Sequence, residues 1–152
     1  MTAVLSIGSN LGDRLAHLRL AVEVLAPVAV SSVWQTAPWG GIEQEDYLNA
    51  VVLCELDAES AWRLAQQAEQ RAGRERRERW GPRTLDVDVV VAAGPVPNGL
   101  VVPHPRAHER AFVLAPWCEL EPAAEILGHG PISVLLAALT DAVQRRSDLA
   151  LR

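Results

Sequence analysis

Apolar and polar positions along the 152-residue chain change period several times, and each change marks an element. Residues 3–7 (AVLSI) form a short apolar stretch that predicts a buried strand. It runs into Gly8-Ser9-Asn10, which predicts a tight turn with Ser9 or Asn10 capping the next helix. Leu11, Leu15, Leu18, Val22 and Leu25 then recur at helical spacing up to Pro27. Residues 28–36 (VAVSSVWQT) read as a second strand, and 37–46, rich in Gly, Pro and acids, as a loop. From 47 to 56 the chain alternates, with Leu48, Ala50, Val52 and Cys54 on one face and Tyr47 and Asn49 on the other. Asp57 is placed to cap a helix striped by Ala61, Leu64, Ala65, Ala68 and Ala72, and Gly73 sits where a C-terminal cap belongs. Residues 84–91 read as a fourth strand and 100–104 (LVVPH) as a short edge piece, with helices expected over 108–117 and 132–146.

The order β-α-β-β-α-β with appended C-terminal helices is that of a ferredoxin-like α+β fold. It predicts one domain over 1–152, an antiparallel sheet, helices on one face, and the other face available for a site. Fold alone names no function.

Composition narrows the chemistry. Hydrophobic residues make up 49% of the chain and charged residues 22%, a globular profile. No apolar run approaches the length of a membrane span, and no charged leader precedes the first apolar stretch, so a cytoplasmic protein is expected. Cys54 and Cys118 fit no disulfide framework or metal spacing and read as free thiols. All 14 basic residues are arginine. The absence of lysine excludes a P-loop lysine, the β3 lysine of protein kinases and Schiff-base catalysis.

Two features stand out against this background. Asp86 and Asp88 alternate with Leu85, Val87 and Val89, which puts both carboxylates on one strand face with Cα atoms roughly 6.7 Å apart. Strands disfavour aspartate, and like charges this close repel unless a cation lies between them. Two solvated acids on an exposed face are one reading. A hard divalent ion held by one or two carboxylates together with substrate phosphates is the other. The second feature is residues 71–83 (RAGRERRERWGPR), where six arginines face two glutamates in a chain of net charge −5. A solvated helix surface with i, i+4 pairs accounts for it poorly, because Arg71–Glu75 and Arg74–Glu78 have the weaker polarity. A local field for an anion, with planar guanidinium forks for polyphosphate oxygens, accounts for it better.

At residues 79–90 these features coincide with a known signature. A basic residue, Gly-Pro-Arg, two residues, Asp-x-Asp and two aliphatics resemble the 6-hydroxymethyl-7,8-dihydropterin pyrophosphokinase family of folate biosynthesis. Matching stretches recur in order through most of the chain: IGSNLGD near the start, TAPWG at 36–40, DYLNAVV at 46–52, VPHP at 102–105 and RAFVL at 110–114. The resemblance implies transfer of pyrophosphate from ATP to the pterin hydroxymethyl group, with two Mg²⁺ ions. It implies Asp86 and Asp88 as metal ligands, Arg74 and Arg83 as catalytic contacts to the moving phosphates, and Gln66, Glu69, Arg76 (Arg77 being the alternative), Trp80, His104 and Arg110 at the ATP. Thr36, Trp39, Tyr47, Asn49 and Phe112 would hold the pterin, with Tyr47 and Phe112 on its two sides. Pro105 and Val101 stand where some members carry tyrosine and threonine. The implied partners are small molecules, with a monomer expected and neither nucleic acid nor membrane. A nucleic-acid module would need basic charge and stacking aromatics that a chain with one Tyr and one Phe lacks. A nucleotide-sensing regulatory domain without turnover is the remaining alternative.

Overall fold

The structure is a computed structural model that describes residues 2–37, 45–73 and 84–152. The chain runs through β1 (Ala3–Ser9), α1 (Arg14–Leu25), β2 (Ala29–Val30), β3 (Val33–Thr36), β4 (Tyr47–Cys54), α2 (Ala58–Arg71) and β5 (Asp86–Val91). A 3-10 turn (Ala107–Glu109) then leads into α3 (Ala111–Leu120), β6 (Glu125–Ile126), β7 (Gly130–Pro131), α4 (Ile132–Ala137) and β8 (Val143–Arg146). The main sheet is antiparallel with order β5-β1-β4-β3-β8, and β2 also pairs with β4. Its first four strands have the ferredoxin-like order.

Alternation along β1 divides the sheet into two faces. Leu5 and Ile7 point to one face with Ala50, Val52, Val87 and Val89, and α1 and α2 cover them through Leu18, Ala21, Leu25, Ala61, Ala65 and Ala68. On the other face Val4, Val51, Leu53 and Val90 pack under α3 through Val113, Leu114 and Trp117. The expectation of helices on one face only is therefore corrected. The second face has an apolar half, which α3 roofs, and a polar half. Val90 shares this face by alternation from Asp86 and Asp88, and a register shift between Val4 and Leu5 against β5 sets Val91 opposite Val4, against the same cluster. That shift explains why the strand's end is wholly apolar after the Asp-x-Asp alternation.

Several boundaries differ from the sequence expectation for identifiable reasons. The cap of α1 is Asp13, whose carboxylate accepts the Ala16 N–H at 3.1 Å, while Ser9 ends β1 and Asn10 donates to the Glu45 carbonyl at 3.2 Å. The glycine that turns the chain is Gly12, at φ 72°, and not Gly8. The strand expected over 28–36 is split at Ser31, whose Oγ accepts the Val51 N–H at 2.9 Å. Asp57 and Gly73 flank α2 as expected, with Asp57 accepting the Ser60 N–H at 2.8 Å and Gly73 in the left-handed region at φ 67°.

Residues 100–104 form no strand, although His104 N–H donates to the Val90 carbonyl at 2.8 Å on the β5 edge. The helix expected over 108–117 is broken at Arg110, an extended residue between the 3-10 turn and α3. Residues 132–146 are not one helix: α4 stops at Ala137, and 143–146 pair with β3 instead. No described helix is long and apolar enough to cross a membrane.

Candidate active site

The polar half of the second face is assembled by register. Asp86 lies opposite Gly8 of β1, and Gly8 lies opposite Asn49 of β4, so the three share one row across the sheet. Asp88 lies opposite Ser6 in the next row on the same face. The two carboxylates thus flank small residues of β1, Gly8 and Ser6, with 42% of the Asp88 side chain exposed. A glycine at position 8 is needed for space and not for backbone strain. A Cβ there would stand 2.7 Å from Asn49 Oδ1 and 3.6 Å from Tyr47 Cδ1.

Asn49 is buried, and its amide donates to Thr36 Oγ1 at 3.0 Å. Thr36 in turn pairs with Tyr47 across β3 and β4. Three of the expected pterin residues, Thr36, Tyr47 and Asn49, therefore form one contiguous group beside the aspartates.

The opposite flank comes from the segment leading into α3. The break at Arg110 aims its guanidinium at the Asp pair, with Nη1 3.8 Å from Asp88 Oδ2. The same guanidinium lies 5.5 Å from the centre of the Phe112 ring, which brings Phe112 to this side of the face. Burial pushes the Arg110 pKa down, while Asp88 and Asp86 pull it back up. Arginine remains a cation at neutral pH under such opposing influences.

His104 sits beside them. Burial pushes its imidazole below the ordinary histidine value; Asp88 opposes this, and Arg110 and Arg106 add to it. The ring is therefore neutral at neutral pH. Its Nδ1 accepts the Arg106 N–H at 3.2 Å, which assigns the proton to Nε2 and makes that atom a donor.

Other expected site residues are placed differently. Glu69 on α2 accepts the Val87 N–H at 2.9 Å, so one of its oxygens is engaged with the β5 backbone behind the aspartates. Gln66, one turn earlier, is exposed, and no described contact joins it to the Asp pair. Trp39, Arg74, Arg76, Trp80 and Arg83 lie outside the described residues.

Two site features escaped the sequence reading. Gly8 and Ser6 were not legible as parts of a site, since only the register with β5 and β4 shows what stands beside them. Arg106 was missed as well; the only signal was its place two residues after His104, whose tautomer its backbone N–H fixes.

The donor set tests well for a hard divalent ion. Asp86 and Asp88 supply oxygens only, and two carboxylates suit an ion that completes its shell with water and substrate phosphate. Among the described residues no cluster of three or more His, Cys, Asp or Glu forms a closed metal cage. The arrangement is a short acidic ledge on a strand, with a cation and a neutral imidazole at one side and a buried polar and aromatic group at the other.

A family model described as 7,8-dihydro-6-hydroxymethylpterin-pyrophosphokinase (HPPK) matches residues 4–122. The 2-amino-4-hydroxy-6-hydroxymethyldihydropteridine pyrophosphokinase of Mycobacterium leprae is 51% identical over 144 residues, covering 84% of this chain and 75% of its own length. The protein of the same name from Mycobacterium tuberculosis is 44% identical over 158 residues, covering 91% and 84%. That of Bacillus subtilis is 41% identical over 128 residues, covering 78% and 77%. With the family's match spanning both the acidic ledge and the segment leading into α3, the chain belongs to the 7,8-dihydro-6-hydroxymethylpterin-pyrophosphokinase family.

Proposed function

We infer that this site transfers pyrophosphate from ATP to the hydroxymethyl group of 6-hydroxymethyl-7,8-dihydropterin, a step of folate biosynthesis. The hydroxymethyl oxygen forms a bond to the β-phosphorus, the bond between that phosphorus and the α–β bridging oxygen breaks, and AMP leaves. The observation that carries this reading is the shared face of Asp86 and Asp88, with Arg110 on one side and the Thr36–Asn49–Tyr47 group on the other. A polyphosphate with its cations fits the first flank, and a flat heterocycle with a polar edge fits the second.

In this reading Asp86 and Asp88 hold Mg²⁺, with two ions the expected number. When bound, Mg²⁺ supplies neutralisation of the triphosphate charge and lowers the pKa of the attacking hydroxyl. Arg110 supplies a fixed cation beside Asp88, and the neutral His104 offers its Nε2 proton to a phosphate oxygen. Arg74 and Arg83 are proposed as catalytic contacts to the transferred phosphates, and Arg76 and Trp80 as ATP contacts, on their match to the family signature. Gln66 and Glu69 are proposed at the nucleotide, on their match to the family. Asn49 reads the polar edge of the pterin while Tyr47 and Phe112 take its faces, and Trp39 is assigned to the same pocket. Catalysis is then chiefly positioning and charge stabilisation. The expected compartment is the cytoplasm. Both cysteines are free, and burial pushes the Cys54 thiol up to about 11, so it stays protonated.

The test is AMP release from ATP with and without the pterin, in the wild type and in Asp86→Ala and Asp88→Ala. Turnover should require the pterin and vanish on chelation of divalent ions. Both variants should fold and lose turnover, because removing one carboxylate relieves repulsion while abolishing the cation site. ATP binding without AMP release would instead mark a sensing domain, and near-wild-type turnover of either variant at saturating Mg²⁺ would refute the metal assignment.

A further inference from the structure

Strand β8 lies beyond the 4–122 stretch that the family model matches, yet it extends the sheet next to the Thr36–Asn49–Tyr47 group. It pairs with β3 from Val33↔Arg146 to Thr36↔Val143. Arg146 is held from two sides. Its Nε and Nη2 donate to the two carboxylate oxygens of Asp148 at 2.9 and 2.7 Å, leaving Nη1 to donate to Gln35 Oε1 at 2.6 Å.

With its oxygen committed to a cation, the Gln35 amide turns its nitrogen to Asp46 Oδ2 at 2.9 Å. Arg14 fixes the same residue through its backbone, donating from Nη1 to the Asp46 carbonyl at 2.9 Å. The chain Asp148–Arg146–Gln35–Asp46 runs behind the sheet. Gln35 and Asp46 immediately precede Thr36 and Tyr47, which pair with each other on the site face.

We propose that Gln35 and Arg146 are positioning residues for the pterin half of the site, an inference that rests on the pocket reading above. They touch no substrate. They set the backbone of β3 and β4 where Thr36 and Tyr47 begin the polar half of the face. Both ends of the Gln35 amide meet a charged partner, and such hydrogen bonds are the strong ones. Without them Asp46 loses the Gln35 amide donor, and the ends of β3 and β4 that carry Thr36 and Tyr47 lose their side-chain tie to β8. A misplacement of about 1 Å at a site that depends on orientation is enough to be felt in binding and rate.

The experiment measures pterin binding in the presence of a non-hydrolysable ATP analogue, analogue binding alone, steady-state kinetics and Tm. The variants are Arg146→Leu, Gln35→Leu, their double, and Arg146→Lys. Each leucine variant should weaken pterin binding about tenfold, the loss expected for a charged hydrogen bond acting through one step. The pterin KM should rise to match, with kcat and analogue affinity within about twofold of wild type. The double should be no worse than the weaker single, because both break one chain, and Arg146→Lys should recover part of the loss by donating to Gln35.

An unchanged pterin KM would overturn the proposal. So would a parallel loss of pterin and analogue affinity with a lowered Tm, which marks a role in stability only. Should Arg146→Leu fail to fold, Gln35→Glu keeps the arginine contact and sets a carboxylate against Asp46, and it should show the same selective loss. Phe112→Ala serves as the control on the pocket itself. If it too leaves pterin binding unchanged, the pocket reading fails; if it weakens binding while the relay variants do not, the relay alone is wrong.

Discussion

Position 8 shows how much of the site depends on an absent side chain. The row Asp86–Gly8–Asn49 places a buried amide on one side of the glycine and a carboxylate on the other. Gly8 carries no positive φ, so alanine meets no backbone penalty there; its Cβ meets Asn49 Oδ1 instead. That oxygen must move, and the bond from the Asn49 amide to Thr36 moves with it. Gly8→Ala should therefore keep the fold at a cost of about 1–3 kcal/mol, typical of overpacking, and raise the pterin KM at least several-fold with little change for ATP. Calorimetric titration of both ligands checks this, and unchanged pterin affinity would mean that Asn49 does not read the pterin. The sequence shows the alternation that pairs Asp86 with Asp88, because period 2 is a local property. It does not show Gly8's role, since the atoms that need the space lie on other strands. Arg110 was legible as a residue in an apolar helix segment, but its aim at Asp88 comes from the extended break before α3, which periodicity does not reveal.

Elements were legible where local chemistry and tertiary demand agree. In α2 the alanine stripe, the Asp57 cap and Gly73 all point the same way, and the helix spans Ala58–Arg71 as its pattern requires. In residues 132–146 they conflict. Helical spacing continues past Ala137, yet the edge of β3 draws 143–146 into a strand, which satisfies backbone groups that would otherwise stay open. The α2 cap also yields a pH prediction. The Ser60 backbone and side-chain hydrogen bonds hold the Asp57 carboxyl below the usual carboxylate range, with Arg63 contributing and burial opposing. A folded-state pKa below the unfolded one adds stability that is present above the unfolded value, about 3.9, and is lost as pH falls through the folded value. Asp57→Ala should thus lower Tm at pH 7, and the gap to wild type should narrow below about pH 4. Paired thermal melts across that range decide it; a gap constant down to full protonation would show that the charge contributes nothing to the cap.

At the scale of the whole molecule, the question is what the sheet does with its two edges. An open edge is a template for pairing with another copy. On β5 two outer backbone groups are engaged from within the chain: Glu69 accepts the Val87 N–H, and the Val90 carbonyl accepts the His104 N–H. On the other side the last strand is β8, only four residues long and carrying Arg145 and Arg146 side by side. Arg146 is tied to Asp148 and Arg145 lies 3.9 Å from Glu119, so this short edge carries ordered charged side chains, a common way of blunting an exposed strand. The apolar half of the second face, which could serve as an interface, is already roofed by α3 through Trp117, itself 1% exposed. The chain should therefore be a monomer, with an observed mass near 16.5 kDa in light scattering or sedimentation equilibrium. A dimer that persists at about 1 µM would need roughly 8 kcal/mol of association free energy, and among the described residues neither the partly engaged β5 edge nor the short charged β8 edge presents an open apolar strand to supply it. Arg145→Val removes one edge charge while sparing the Arg146–Gln35 contact. Weak self-association of that variant, absent in the wild type, is the expected signature that the arginine pair guards the edge. A wild-type dimer dissociated by mutations in β8 would show the reverse, that this edge is an interface.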